Sequence, residues 1–91
     1  MNHNDTDKPT IEFPCEFPVK AMGHASETLQ LTVLEIVQRH APEADHSALK
    51  SRPSSNGKYI SITVTINAQS REQLDAIYMD LTACEQVLMA L

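Results

Sequence analysis

Tryptophan is absent from this chain, glycine and cysteine occur twice each in 91 residues, and aromatics make up only 4%. Two glycines, Gly23 and Gly57, are too few for a Gly-rich loop that cradles phosphates. Cys15 and Cys84 stand far apart and form no Cys-x-x-Cys, so the thiolate pair that a soft metal requires is missing. In a reducing compartment the default for such cysteines is two free thiols. One disulfide is the alternative, and it needs a Cα separation that spacing alone does not supply. The histidines His3, His24, His40 and His46 show no pair at one-turn spacing. No metal and no cofactor are therefore expected.

Long apolar runs are missing too. Nothing approaches the ~20 residues that cross a bilayer, and Met1 to Lys8 has no apolar core of a secretory signal. The expected setting is the cytoplasm, with no membrane partner. Basic residues are outnumbered, seven Lys and Arg against twelve Asp and Glu, giving a net charge of −5. That balance argues against a nucleic-acid partner, because phosphate neutralisation supplies most non-specific affinity.

What remains is an ordinary soluble composition, 42% apolar and 21% charged. A chain of this length buries roughly 60–65% of its unfolded surface around one modest core. Its clearest signal is the stretch Tyr59 to Ala68. There Ile60, Ile62, Val64 and Ile66 alternate with Ser61, Thr63, Thr65 and Asn67, a β-strand with one apolar and one polar face.

The rest of the chain reads as elements that cover or pair with this strand. Residues 1–10 are polar and read as a disordered tail, leaving 11–91 as a single domain. Pro14 and Pro18 exclude a regular helix, and Phe17, Val19 and Ala21 alternate in a first strand from about Glu16 to Met22, ended by Gly23. Ser26 is an N-cap with Glu27 in the first turn. Leu29, Val33, Ile36, Val37 and His40 form one helical stripe that Pro42 stops. Leu34 lies on the flank and Leu31 opposite. His40, near the helix C-terminus, is read as a packed or capping side chain.

A second strand is expected from Ala48 to Ser54. Its Lys50, Arg52 and Pro53 suit a protected sheet edge. Asn56-Gly57 then predicts a hairpin turn, since both residues tolerate positive φ. Ser70 and Gln73 make a capping box for a second helix to about Ala83, buried through Leu74, Ile77, Tyr78 and Leu81. Val87 to Leu91 is a short apolar run read as a fourth strand. The order strand, helix, strand, strand, helix, strand predicts an α+β, ferredoxin-like βαββαβ sandwich, with a four-stranded antiparallel sheet and two helices on one face.

That fold hosts many activities, so function rests on a site. An RNA-recognition version stacks bases on aromatics of the open sheet face. Strand three offers Ser61, Thr63, Thr65 and Asn67 there, a quiet polar surface without rings or ionisable groups. No local nucleophile-and-base arrangement is present, so an enzyme is not expected. Two loops carry candidate binding residues. Around Lys20, Met22, Gly23 and His24 a strand runs into a helix N-terminus, where N–H groups can hold an anion. Ser54, Ser55, Gly57 and Tyr59 bracket the hairpin turn and present hydroxyls beside Lys58. For both loops plain turn chemistry and solubility are the simpler account.

Glu12-Phe13-Pro14 with Phe17, Lys20, Met22 and Gly23, then Val37 to Pro42, Pro53-Ser54-Ser55 with Gly57 and Tyr59, and Ser61 to Ala68 are runs that together resemble the YbeD-like family of small bacterial proteins. The resemblance implies a ferredoxin-like fold of the ACT type, a setting in lipoate metabolism, and no catalytic residue to carry over. ACT domains often bind amino acids in the loop after strand one, comparable to Gly23, between paired domains. The expectation is a non-enzymatic regulatory or protein-interaction module. The alternative is a small-ligand, amino-acid-like sensor using Gly23, His24 and the face of strand three, acting as a homodimer through the apolar edge at Val87 to Leu91.

Overall fold

The computed structural model describes residues 11–91, and the tail expected over residues 1–10 lies outside them. Strand β3 spans Tyr59–Ala68, the range expected from its alternation, and Ile60, Ile62, Val64, Ile66 and Ala68 are all buried. It pairs antiparallel with β1 (Cys15–His24) on one side and β2 (Leu49–Pro53) on the other. A two-residue β4 (Met89–Ala90) pairs antiparallel with β1, so the sheet order is β2-β3-β1-β4. Helices α1 (Glu27–His40) and α2 (Arg71–Ala83) join the β3 isoleucine face in a shared core. The architecture is ferredoxin-like α+β, as expected.

Local chemistry sets the helix ends. Ser26 caps α1, its Oγ accepting from the Leu29 amide at 3.0 Å, and the α1 stripe buries Leu29, Val33, Leu34, Ile36 and Val37. Leu31 stays on the solvent side, as its phase predicts. Ser70 caps α2 by accepting from the Gln73 amide at 3.1 Å. Gln73 Oε1 reaches back to the Gln69 amide at 2.7 Å, one residue beyond the usual capping-box partner, and its Nε2 donates to the His40 carbonyl at 2.8 Å. His40 Nε2 lies 2.7 Å from Asp80 Oδ2, so the histidine ties the end of α1 to α2. Cys15 and Cys84 are free thiols, each half-buried against the core.

The boundaries depart from expectation at four places. Strand β1 continues to His24, and Gly23 pairs with Ile60 inside the strand instead of ending it. Glycine is needed there because a Cβ would lie 2.3 Å from the Gln86 carbonyl oxygen and 2.9 Å from Leu29 Cδ2. Strand β2 begins at Leu49, not Ala48, because Asp45 caps a 3-10 turn over His46–Ala48 by accepting from the Ser47 amide. Hydrogen bonds from the Ser47 side chain and then its amide hold the Asp45 carboxyl below its usual range. In the β2–β3 connection only Gly57 takes a positive φ, +78°, and Asn56 does not. Ser54 accepts from the Gly57 amide and donates its own amide to Tyr59, closing a loop wider than a two-residue hairpin turn. Strand β4 covers Met89–Ala90 instead of Val87 to Leu91, because the Leu88 amide already bonds Met22.

The expected edge protection on β2 has a backbone basis. Since Ser54 donates inward to Tyr59, alternation directs the backbone groups of Leu49, Ser51 and Pro53 away from β3. Pro53 has no N–H, and the Leu49 N–H donates to the His46 carbonyl. Ser51 is left with the outward strand donor, a poor template for another strand.

Tyr78 anchors the opposite edge, donating its hydroxyl to the Leu91 carbonyl and meeting Phe17 edge-on at 6.5 Å. Burial pushes its pKa above the ordinary 10.0, against a smaller opposing effect of the Lys20 backbone. A raised folded-state value means the folded protein holds the proton more tightly. That stability is complete below pH ~10 and is lost as pH rises through the folded value. Melting scans from pH 8 to 11 are expected to show wild-type stability falling above about pH 10. Tyr78→Phe should flatten the fall, while starting about 1 kcal/mol lower at neutral pH from the lost hydrogen bond.

Candidate sheet-face binding site

Side chains alternate across a sheet, so the partners of the isoleucine face define an open face. Register places two four-residue rows side by side on it. One runs Lys50, Thr63, Lys20, Leu91 and the next runs Arg52, Ser61, Met22, Met89, each from β2 to the β4 edge. Cations therefore stand over β2, hydroxyls over β3, and apolar side chains at the β4 edge, with Lys20 between. A trough of about 450 Å³ is lined by Lys20, Lys50, Ser51, Arg52, Ser61 and Thr63. A smaller cavity of about 90 Å³ adjoins it, where Met22, Met89 and Leu91 meet Lys20, Ser61 and Thr63. No acidic side chain lines either space.

This corrects the quiet surface expected from strand three alone. The face is cationic because β1 and β2 add Lys20, Lys50 and Arg52 to the neutral hydroxyls of β3. It also carries rings at one end, where Tyr59 is opposite His24 and the two stack at 5.1 Å. Among the described residues, the helices carry Glu27, Glu35, Glu72, Asp75 and Asp80, and the loops that follow them Glu43, Asp45 and Glu85, while Glu16 on β1 shares the open face with Lys20 and Glu12 precedes that strand. The net charge of −5 thus conceals a local cluster of three cations at the β2 side of the sheet.

The eight candidate residues divide between two places. Lys20, Met22, His24 and Tyr59 share the open face. Gly23 points to the helix side, where Gln86 and Leu29 fill the space beside it. Ser54, Ser55 and Gly57 lie in the β2–β3 loop. The Ser54 hydroxyl is engaged, donating to Asn56 Oδ1 at 2.9 Å and accepting from the Tyr59 amide at 3.1 Å. The loops meet, since the Ala25 amide donates to the Lys58 carbonyl at 2.9 Å. Sequence reading missed Lys50, Arg52, Met89 and Leu91. The i, i+2 spacing of Lys50 and Arg52 was the available signal, read there as edge protection alone. Among the described residues no three His, Cys, Asp or Glu side chains gather as a metal site. No described helix is long and apolar enough to cross a membrane.

Fold and face together define a small ferredoxin-like α+β protein with one covered and one open, cationic sheet face. The family described as "Protein of unknown function (DUF493)" matches residues 8–91. A UPF0250 protein of Azotobacter vinelandii is 47% identical over 92 residues, covering 100% of both chains. One from Ectopseudomonas mendocina is 48% identical over the same span and coverage. The chain belongs to this uncharacterised family, consistent with its YbeD-like resemblance. Among solved structures, the solution structure of protein HP0495 from H. pylori superposes with a TM-score of 0.70, covering 100% of this chain and 96% of that one. At 20% identity it supports the fold alone.

Proposed function

We propose that the protein is a non-enzymatic interaction module of the cytoplasm that docks a partner on its open sheet face. The observation that carries this reading is the pair of rows across β2, β3, β1 and β4, which set three cations beside an exposed apolar strip. Their lining supplies ammonium, guanidinium, hydroxyl and thioether groups, a set suited to holding a partner and lacking an acidic side chain or imidazole to serve as general base. An amino-acid sensor seated at Gly23 has less support, because this chain's own atoms fill the volume beside that glycine. The YbeD-like resemblance makes lipoate-handling proteins the first partners to try.

The test is comparative capture from cell extract with wild type, Met89→Glu and Met79→Glu. Met89 and Met79 are both exposed, at 49% and 72%, but lie on the sheet and on α2 respectively. A partner retained by wild type and Met79→Glu but lost with Met89→Glu is the expected result. Equal retention by all three would remove the sheet face as the docking surface.

A further inference from the structure

Resting on the sheet-face reading, we infer that the partner presents an acidic, extended segment with one aliphatic side chain a few residues from its carboxylates. Charge and spacing on the face select this occupant. Lys50 and Lys20 flank Thr63, two strand spacings or about 10 Å apart, and Arg52 stands in the next row. Carboxylates laid over this part meet three cations and two hydroxyls with no competing carboxylate in the lining.

The apolar end is sized for a single side chain. Its half-open cavity of about 90 Å³ is smaller than the ~150 Å³ enclosed space that holds a benzene ring, so a leucine-like group fits it better than an aromatic ring. From Lys50 to Leu91 is three strand spacings, about 14 Å. An extended chain crossing the strands covers that distance in about four residues. The segment therefore carries its acidic residues about four positions from its aliphatic one.

Other occupants fit less well. RNA would need exposed rings along the central strands, where the two rows hold Thr63 with Lys20 and Ser61 with Met22, and the stacked His24 and Tyr59 stand only at one end. A strand added at β2 would find Ser51 as the outward N–H of that edge. A second copy offers its acidic helical layer to the cationic face, and its contribution is decided by measurement.

The probe is a fluorescein-labelled synthetic peptide with two adjacent glutamates about four residues from a leucine, made in both orders and followed by anisotropy at low salt and 150 mM salt. Wild type is expected to bind it with salt-sensitive affinity. Lys50→Glu with Arg52→Glu should weaken binding about tenfold or more, and Met89→Asp, or serine for leucine in the peptide, severalfold. All substituted positions are exposed, and melting curves matching wild type confirm folded variants. Undiminished binding by the charge-reversed variant overturns the inference. So does tighter binding of a single-stranded RNA or of phosphatidylglycerol vesicles than of the peptide. Sedimentation showing self-association abolished by the same charge reversal overturns it in favour of a second copy. If the peptide fails while Met89→Glu still abolishes capture, the acidic segment is wrong and the docking face stands. If the peptide binds while capture ignores Met89, the segment's binding stands and the proposed docking role falls.

Discussion

Gly23→Ala is expected to destabilise the protein by about 3 kcal/mol, at the upper end of ordinary overpacking. The added methyl would stand 2.3 Å from a backbone oxygen, Gln86 O, and 2.9 Å from Leu29 Cδ2, so a rotamer change cannot relieve it. Either β1 moves away from the segment leading into β4, or that segment moves. Gln86 directly precedes the run in which Leu88 and Leu91 donate to Met22 and Lys20. The lost stability should therefore come with reduced amide-exchange protection at Leu88 and Leu91 and with a disturbed Met22–Met89 row. For a domain of this size the melting temperature is expected to drop by roughly 12–24 °C. Gly57→Ala provides the contrast, with open space around its Cβ but a φ of +78°. Its cost is conformational, about 1–2 kcal/mol, and leaves the C-terminal protection unchanged. Urea unfolding and hydrogen exchange on both variants check the pair.

The two glycines also show which parts of the molecule were legible in sequence. Gly57 follows Asn56 between two strand patterns, and a turn was readable from those neighbours alone. Gly23 was readable as a special position, but its cause is an approach by Gln86, sixty-three residues away, which no local pattern encodes. The same division runs through the site. Strand β3 was legible to the residue because one of its faces is fully committed to the core, leaving alternation nothing to compete with. Its polar face was read in isolation, and there the reading fell short. Lys20, Lys50 and Arg52 acquire meaning only through register, which sets Lys20 and Lys50 on either side of Thr63. At the chain end, Val87 to Leu91 is apolar throughout and read as one strand. The Leu88 bond to Met22 spends a residue before regular pairing begins, so only two residues enter the ladder.

The sharpest test of that two-faced strand uses adjacent residues. Ile62 is fully buried at the centre of β3, opposite Ala21 on β1 and Ser51 on β2. Ile62→Ala removes three carbons from the shared core, between two flanking strands and under the helical layer, where collapse is restricted, and is expected to cost about 3–4 kcal/mol. Total stability for 91 residues is of order 5–14 kcal/mol, so the change consumes a large share of it. The urea midpoint should fall accordingly, with the slope preserved if unfolding stays two-state. Thr63→Val, one residue on, replaces a hydroxyl on the open face with a methyl in a residue equally suited to a strand. Its stability should stay within about 0.5 kcal/mol of wild type. Its effect belongs to binding, because the lost hydroxyl lies between Lys20 and Lys50 in the trough. A stability loss confined to Ile62→Ala and a binding loss confined to Thr63→Val would show that one strand carries the fold on one side and the function on the other. Comparable destabilisation by both would mean that the open face contributes to the folded core, and the separation of roles would fail.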